Sequence, residues 1–141
     1  MNVNVIYYSR GGNTKKVAEV VAQECGVEAI DIAERHVLPE TDLLFIGMGI
    51  YAGRPDHVLL DYLDQLPANR VKGAALFTTS ATGKDRTELV LNLLTHKGIT
   101  PYKIHCNCKG RFLLKNKGRP NEVDFEEARN FTRRVLRAFN G

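Results

Sequence analysis

The stretch Tyr8-Ser9-Arg10-Gly11-Gly12-Asn13-Thr14 stands between two different patterns. Before it runs an apolar segment with Val3, Val5, Ile6 and Tyr7. After it Val17, Val20, Val21 and Glu24 recur at helical spacing. The stretch is therefore read as a strand-to-helix turn. Such turns bind anions, because the first amides of a helix lack carbonyl partners and point along the positive end of its dipole. Two adjacent glycines, Gly11 and Gly12, let the backbone close around a phosphate without a Cβ in the way. Ser9 and Thr14 add hydroxyl donors, Asn13 an amide and Arg10 a permanent charge. A plain tight turn needs only one glycine and none of these donors.

Strand and helix patterns alternate along the rest of the chain. Val27, Ala29, Ile30 and Ile32 interleave with Glu28 and Asp31 as a second, partly polar strand. Leu43-Leu44-Phe45-Ile46-Gly47-Met48-Gly49 is a near-continuous apolar run, as expected of a strand covered on both faces. Pro55 and Asp56 open a helix with Leu59, Leu63 and Leu66, its Asp61 and Asp64 turned to solvent. Gly73 to Thr79 is a fourth strand. Asp85 with Glu88 suggests a capping box for a helix through Val90, Leu93 and Leu94, and Asp124 with Glu127 suggests one for a last helix carrying Phe125, Ala128, Phe131, Val135 and Phe139. Between them Ile99 to Cys108 reads as one fifth strand with polar alternates Lys103, His105 and Asn107. Five alternations predict an α/β fold, a doubly wound five-stranded parallel sheet with helices on both faces. The first, third and fourth strands are the most apolar, which puts them at the centre and gives the order 2-1-3-4-5. Ligands of such sheets bind beyond the carboxyl ends of the strands, where the order reverses.

The turn lacks both G-x-G-x-x-G and G-x-x-x-x-G-K-[ST], which weighs against NAD and ATP. It resembles the phosphate loop of the flavodoxin family, [ST]-x-T-G-x-T after the first strand. Ser9, Gly12 and Thr14 match, and Gly11 stands where that family carries a hydroxyl residue. The resemblance to short-chain flavodoxins extends over nearly the whole chain, residues 1–141, as a single flavodoxin-like domain. It implies FMN, with Ser9, Arg10, Gly11, Gly12, Asn13 and Thr14 at the phosphate. By the same resemblance Gly49, Ile50, Tyr51, Ala52 and Gly53 flank the isoalloxazine ring. Thr79, Ser80, Ala81, Thr82 and Gly83 offer hydroxyls and closely approaching amides to its pyrimidine edge and to the ribityl chain. No aromatic residue stands in that last loop.

Charge is unevenly spread. Residues 1 to 88 carry a net −3, residues 89 to 121 hold seven bases and no acid, and residues 122 to 141 balance. The basic segment includes Lys109-Gly110-Arg111-Phe112-Leu113-Leu114-Lys115-Asn116-Lys117-Gly118-Arg119-Pro120, whose apolar triplet is expected to be buried beneath the loop, the alternative being a partner-docking surface. Such a segment reads as a solvated face, a docking surface for an acidic partner or a nucleic-acid contact; the flavodoxin resemblance implies a redox partner protein, and one that meets this basic surface carries an acidic docking surface. No apolar run approaches the roughly 18 residues that span a membrane, and no signal segment is read, so a cytoplasmic protein is expected. Cys25, Cys106 and Cys108 form no C-x-x-C pair; the latter two read as buried thiols on one strand face. His36, His57, His96 and His105 show no spaced carboxylate or cysteine mate, so no metal ligand and no catalytic acid or base is assigned.

The expected function is an FMN-binding carrier that shuttles electrons one at a time through the flavin semiquinone. Two alternatives differ in class: an FMN-dependent oxidoreductase acting on a small quinone or tetrapyrrole, and a flavin-less binding or regulatory module using the basic patch. Nucleic acid is not the expected partner, although salt-dependent retention on it would revive the third reading.

Overall fold

The computed structural model describes residues 1–35, 37–67 and 69–140; His36, which carries no assigned role, lies outside them. Eleven elements follow one another: β1 (Val3–Tyr8), α1 (Asn13–Cys25), β2 (Ala29–Asp31), β3 (Leu43–Tyr51), β4 (Arg54–Pro55), α2 (His57–Asp64), β5 (Gly73–Ser80), α3 (Glu88–His96), β6 (Thr100–Pro101), β7 (Cys106–Lys109) and α4 (Glu122–Asn140). The parallel sheet runs β2-β1-β3-β5-β6, with β7 also paired to β5. This is the expected order, with one difference at the edge.

The fifth strand is two pieces rather than one. β6 pairs with Gly73 and Ala74 at the start of β5, and β7 with Phe77 to Ser80 at its end. The residues between them leave the ladder, with Lys103 and Ile104 exposed. Alternation of polar and apolar residues carries no mark of such a break.

Burial follows strand position. Every residue of β5 and all but the last of β3 are buried, because each strand has neighbours on both edges and helices on both faces. Side chains alternate between two cores. Leu44, Ile46, Met48 and Ile50 of β3 face Leu59 and Leu63 of α2 and Val90 and Leu94 of α3. Leu43 and Phe45 face Val17 and Val21 of α1 and Phe131 and Val135 of α4, with Phe45 and Phe131 edge to face at 6.1 Å. Gly47 sits on this second side for a steric reason: a Cβ there would lie 2.3 Å from the Phe77 ring. Cys106 and Cys108 are buried on the same face, as expected, with their sulfurs 3.9 Å apart. Contact with Cys106, then burial, pushes the Cys108 thiol up, so it is an uncharged packing group.

Both expected capping boxes are displaced. Asp85 lies ahead of α3, accepting from the amide and hydroxyl of Thr87, and the helix begins at Glu88 with Thr87 as its cap. In α4 the box is Asn121 with Asp124. The Asn121 side chain accepts from the Val123 amide while the Asp124 carboxylate accepts from the Asn121 amide. Asp124 also takes both nitrogens of a bidentate pair from Arg119 at 2.6 Å. Burial works against its charge, yet Arg119 and the Asn121 amide together hold its carboxyl below the usual range. A carboxyl depressed in the folded state contributes stability that is complete above about pH 4, the unfolded value, and is lost as pH falls through the folded one. Asp124→Asn is expected to cost about 2–3 kcal/mol by removing a charge-assisted pair from a buried carboxylate. Chemical denaturation at pH 7 and pH 3 checks this: the penalty should shrink at the lower pH.

Candidate functional site

The order of the sheet reverses between β1 and β3, and three loops rise from the carboxyl ends of β1, β3 and β5 around that point. They hold all sixteen residues that the sequence assigns to a ligand.

At the first loop, Gly12 is the N-cap of α1 at φ 92°, and no side chain caps the helix. The opening amides of α1 are therefore free of a side-chain acceptor, on the open side of the turn. A Cβ built on Gly11 or Gly12 would meet nothing within 4 Å. Ser9 Oγ accepts from the Gly12 amide at 2.9 Å, which braces the turn and leaves the hydroxyl hydrogen to donate elsewhere. Thr14 Oγ1 and Thr79 Oγ1 meet at 2.8 Å in the buried floor, so the first and third loops share a hydrogen bond. One of those two hydroxyl hydrogens remains for a ligand. This donor set suits a phosphate.

The second loop is a tight hairpin. Tyr51 pairs with Arg54, and Ala52 and Gly53 turn the chain with φ 52° and 76°. The close spacing of Gly49 and Gly53 gave no sign of a strand pairing here. Arg10 reaches this loop: its Nε donates to Asp56 at 2.6 Å, and its guanidinium lies 4.2 Å from the centre of the Tyr51 ring. The sequence assigns Arg10 to the phosphate; its side chain instead bridges the first and second loops. Asp56 is fully buried, caps α2 through the Val58 amide and receives Arg10 with its other oxygen. Asp56 was legible as a helix cap, but nothing in the sequence links it to a residue 46 positions away. The Tyr51 ring is pressed between this guanidinium and the Gly49 backbone, where a Cβ would approach Oη to 2.7 Å. Burial above all pushes the Tyr51 phenol up, against the pull of Arg10, so it stays a neutral donor.

In the third loop Ser80 Oγ accepts from the Gly83 amide at 2.8 Å and Thr82 Oγ1 from the Lys84 amide at 3.2 Å. These bonds again consume the oxygens and leave the hydroxyl hydrogens. Ala81 offers its carbonyl to Asn116 at 2.7 Å. A fourth segment, after β7, thus joins the site. Asn13 donates to the Arg111 carbonyl, and Gly110 leaves room for that side chain, since a Cβ there would sit 2.6 Å from the Asn13 amide nitrogen. A cavity of about 320 Å³ lies between this segment and the first loop, lined by Gly11, Asn13, Lys16, Arg111 and Arg119 among others. A larger one, about 520 Å³, lies against α2 near Leu38 and Tyr62, away from all three loops.

Two expectations are corrected. His105 does have a carboxylate mate: its Nδ1 lies 2.6 Å from Asp85, which two Thr87 bonds and the His105 contact hold at a pKa of about 2 against the effect of burial. The pairing joins residues 20 apart, beyond any local spacing. The apolar triplet is not buried: Phe112, Leu113 and Leu114 are 52%, 79% and 82% exposed. Among the described residues no cluster of three His, Cys, Asp or Glu is arranged to hold a metal ion, and no helix is long and apolar enough to cross a membrane.

The family described as the flavodoxin domain matches residues 4–97. An uncharacterized protein of Methanocaldococcus jannaschii is 28% identical over 138 residues, covering 89% of this chain and 91% of that one. Among solved structures, a flavodoxin from the domain Archaea superposes with a TM-score of 0.77 at 16% identity, each chain covered fully. A flavodoxin of Fusobacterium nucleatum bound to flavin mononucleotide superposes at 0.70 and 9% identity, covering 98% of this chain and 99% of that one. With a glycine turn leading from β1 into α1, the order β2-β1-β3-β5-β6 and a domain match over two thirds of its length, the chain belongs to the flavodoxin domain family.

Proposed function

We propose that residues 1–141 act in the cytoplasm as one FMN-binding domain that passes electrons in single steps between redox partner proteins. The observation that carries this is the uncapped start of α1, with open space over Gly11 and Gly12 and hydroxyls braced toward it from two loops. FMN when bound supplies the electron-storing ring; the chain binds, orients and shields it. Ser9, Thr14, Asn13 and the α1 amides would hold the phosphate. The hairpin Gly49 to Gly53 and the turn Thr79 to Gly83 would flank the ring, with Tyr51 as its aromatic neighbour. Arg10 serves this site by fixing Tyr51 and the hairpin against Asp56 rather than by reaching the phosphate.

The ring loops expose Arg54, Lys84 and Arg86, and residues 89–121 add seven bases without an acid. A partner that meets them favourably carries an acidic docking surface. Purified protein incubated with excess FMN is expected to retain it after gel filtration, to quench its fluorescence, and to show a long-wavelength absorbance at half reduction. A colourless protein that does not titrate with FMN overturns the proposal. The absence of an aromatic residue from Thr79–Gly83 favours one second reading, turnover of a small quinone on an uncovered ring face. Steady-state quinone reduction without any protein partner would establish it.

A further inference from the structure

The two most exposed large apolar side chains among the described residues, Leu113 and Leu114, are neighbours at the tip of one turn. Phe112 and Lys115 exchange both backbone hydrogen bonds, at 3.1 and 3.0 Å, and so close a two-residue hairpin over them. Leu113 has φ 54°, a left-handed conformation that a leucine avoids and a glycine would adopt freely. The chain thus holds apolar groups outward in a turn whose relaxed residue would offer no side chain.

The base of the hairpin is firmly fixed. Asn116 donates to the carbonyls of Ala81 and Gly110, the Arg111 amide to Arg119, and Asn13 to the Arg111 carbonyl. Around the tip stand exposed Lys109, Arg111, Lys115 and Lys117, with no acid in the sequence from 89 to 121. The composition discriminates between occupants. Lysine is depleted at protein interfaces and leucine is under-represented among their energetic anchors. Leucine and phenylalanine flanked by lysine and arginine are what the headgroup boundary of an anionic bilayer accepts, the long basic stems lying along lipid while their charges meet phosphate.

We propose that the Leu113–Leu114 tip inserts into the interface of an anionic lipid bilayer, with Arg111, Lys115 and Lys117 on the headgroups. The protein then lies on the membrane without spanning it, and the end that carries the three ligand loops faces the lipid. The same basic end then serves both contacts, and an acidic protein partner meets it only off the membrane. This goes beyond the electron-transfer reading and does not depend on it.

The test is cosedimentation of the FMN-loaded protein with phosphatidylcholine vesicles and with vesicles containing 30 mol% phosphatidylglycerol. Binding to the anionic vesicles is expected, and little to the neutral ones. Leu113→Asp with Leu114→Asp should weaken it at least tenfold while leaving FMN uptake unchanged. Lys115→Gln and Lys117→Gln should each weaken it roughly fivefold, the effect of one basic residue near an anionic surface. The chain has no tryptophan, so Leu114→Trp is a clean reporter, and its emission should shift to the blue on anionic vesicles. Lipid binding by protein that takes up no FMN supports the tip while sinking the cofactor reading, so the two failures are separable. No binding to either vesicle, equal binding by the aspartate variants, a tip-dependent dimer in solution, or loss of FMN affinity in those variants overturns the proposal.

Discussion

Gly12→Val is expected to weaken FMN binding about a hundredfold while leaving a folded protein. Gly12 caps α1 at φ 92°, where a β-branched residue is strained by about 1–3 kcal/mol. Relief of that strain would pull the first turn of α1 out of line and withdraw the opening amides from a bound anion. The new methyl groups would also fill the space that is open above the turn. Losing two hydrogen bonds to a charged group at about 1.5 kcal/mol each, the low end of their usual range, gives the expected factor. Thr14→Val is the milder companion, removing one hydroxyl from the pair with Thr79 at roughly a tenfold cost. Fluorescence titration with FMN reads both. A change below threefold for Gly12→Val, in a protein with unaltered circular dichroism, would mean that the phosphate is held elsewhere.

Gly47→Ala should be among the most damaging single-methyl changes in the chain. The added Cβ would lie 2.3 and 2.4 Å from two carbons of the Phe77 ring, and both residues are in the fully buried centre of the sheet. The ring has no exit, because α1 and α4 close that face. Overpacking of this kind costs about 1–3 kcal/mol and occasionally more, so a fall in Tm of about 5–10 °C is expected by calorimetry. Phe77→Leu made together with Gly47→Ala should recover part of the loss. If the two penalties simply add, the clash is not the cause.

The architecture was legible because burial imposes itself on composition. β3 and β5 are sealed on both faces, and a strand in that position has to read as an unbroken apolar run, as Leu43 to Ile46 does. The free start of α1 was legible for the same kind of reason, since only glycine sits easily at φ 92° and Ser9, Arg10, Asn13 and Thr14 around it carry donors. What escaped the sequence depends on distance along the chain. Arg10 finds Asp56 across 46 residues, His105 finds Asp85 across 20 and Asn116 finds Ala81 across 35. None of these pairs leaves a local pattern. The exposed triplet misled for the opposite reason. Phe112-Leu113-Leu114 looks like core by hydropathy, and only the hairpin closed by Lys115 turns it outward.

The interrupted fifth strand also bears on how the molecule behaves in company. A sheet with two strands as apolar as β3 and β5 is a standing hazard for amyloid-like growth if either flank can recruit a strand from another copy. One flank here is β2, three residues long; the other is broken into pieces of two and four. Neither offers a continuous template. The gap between Pro101 and Cys106 thus protects crowded copies of the chain from zipping together along that side.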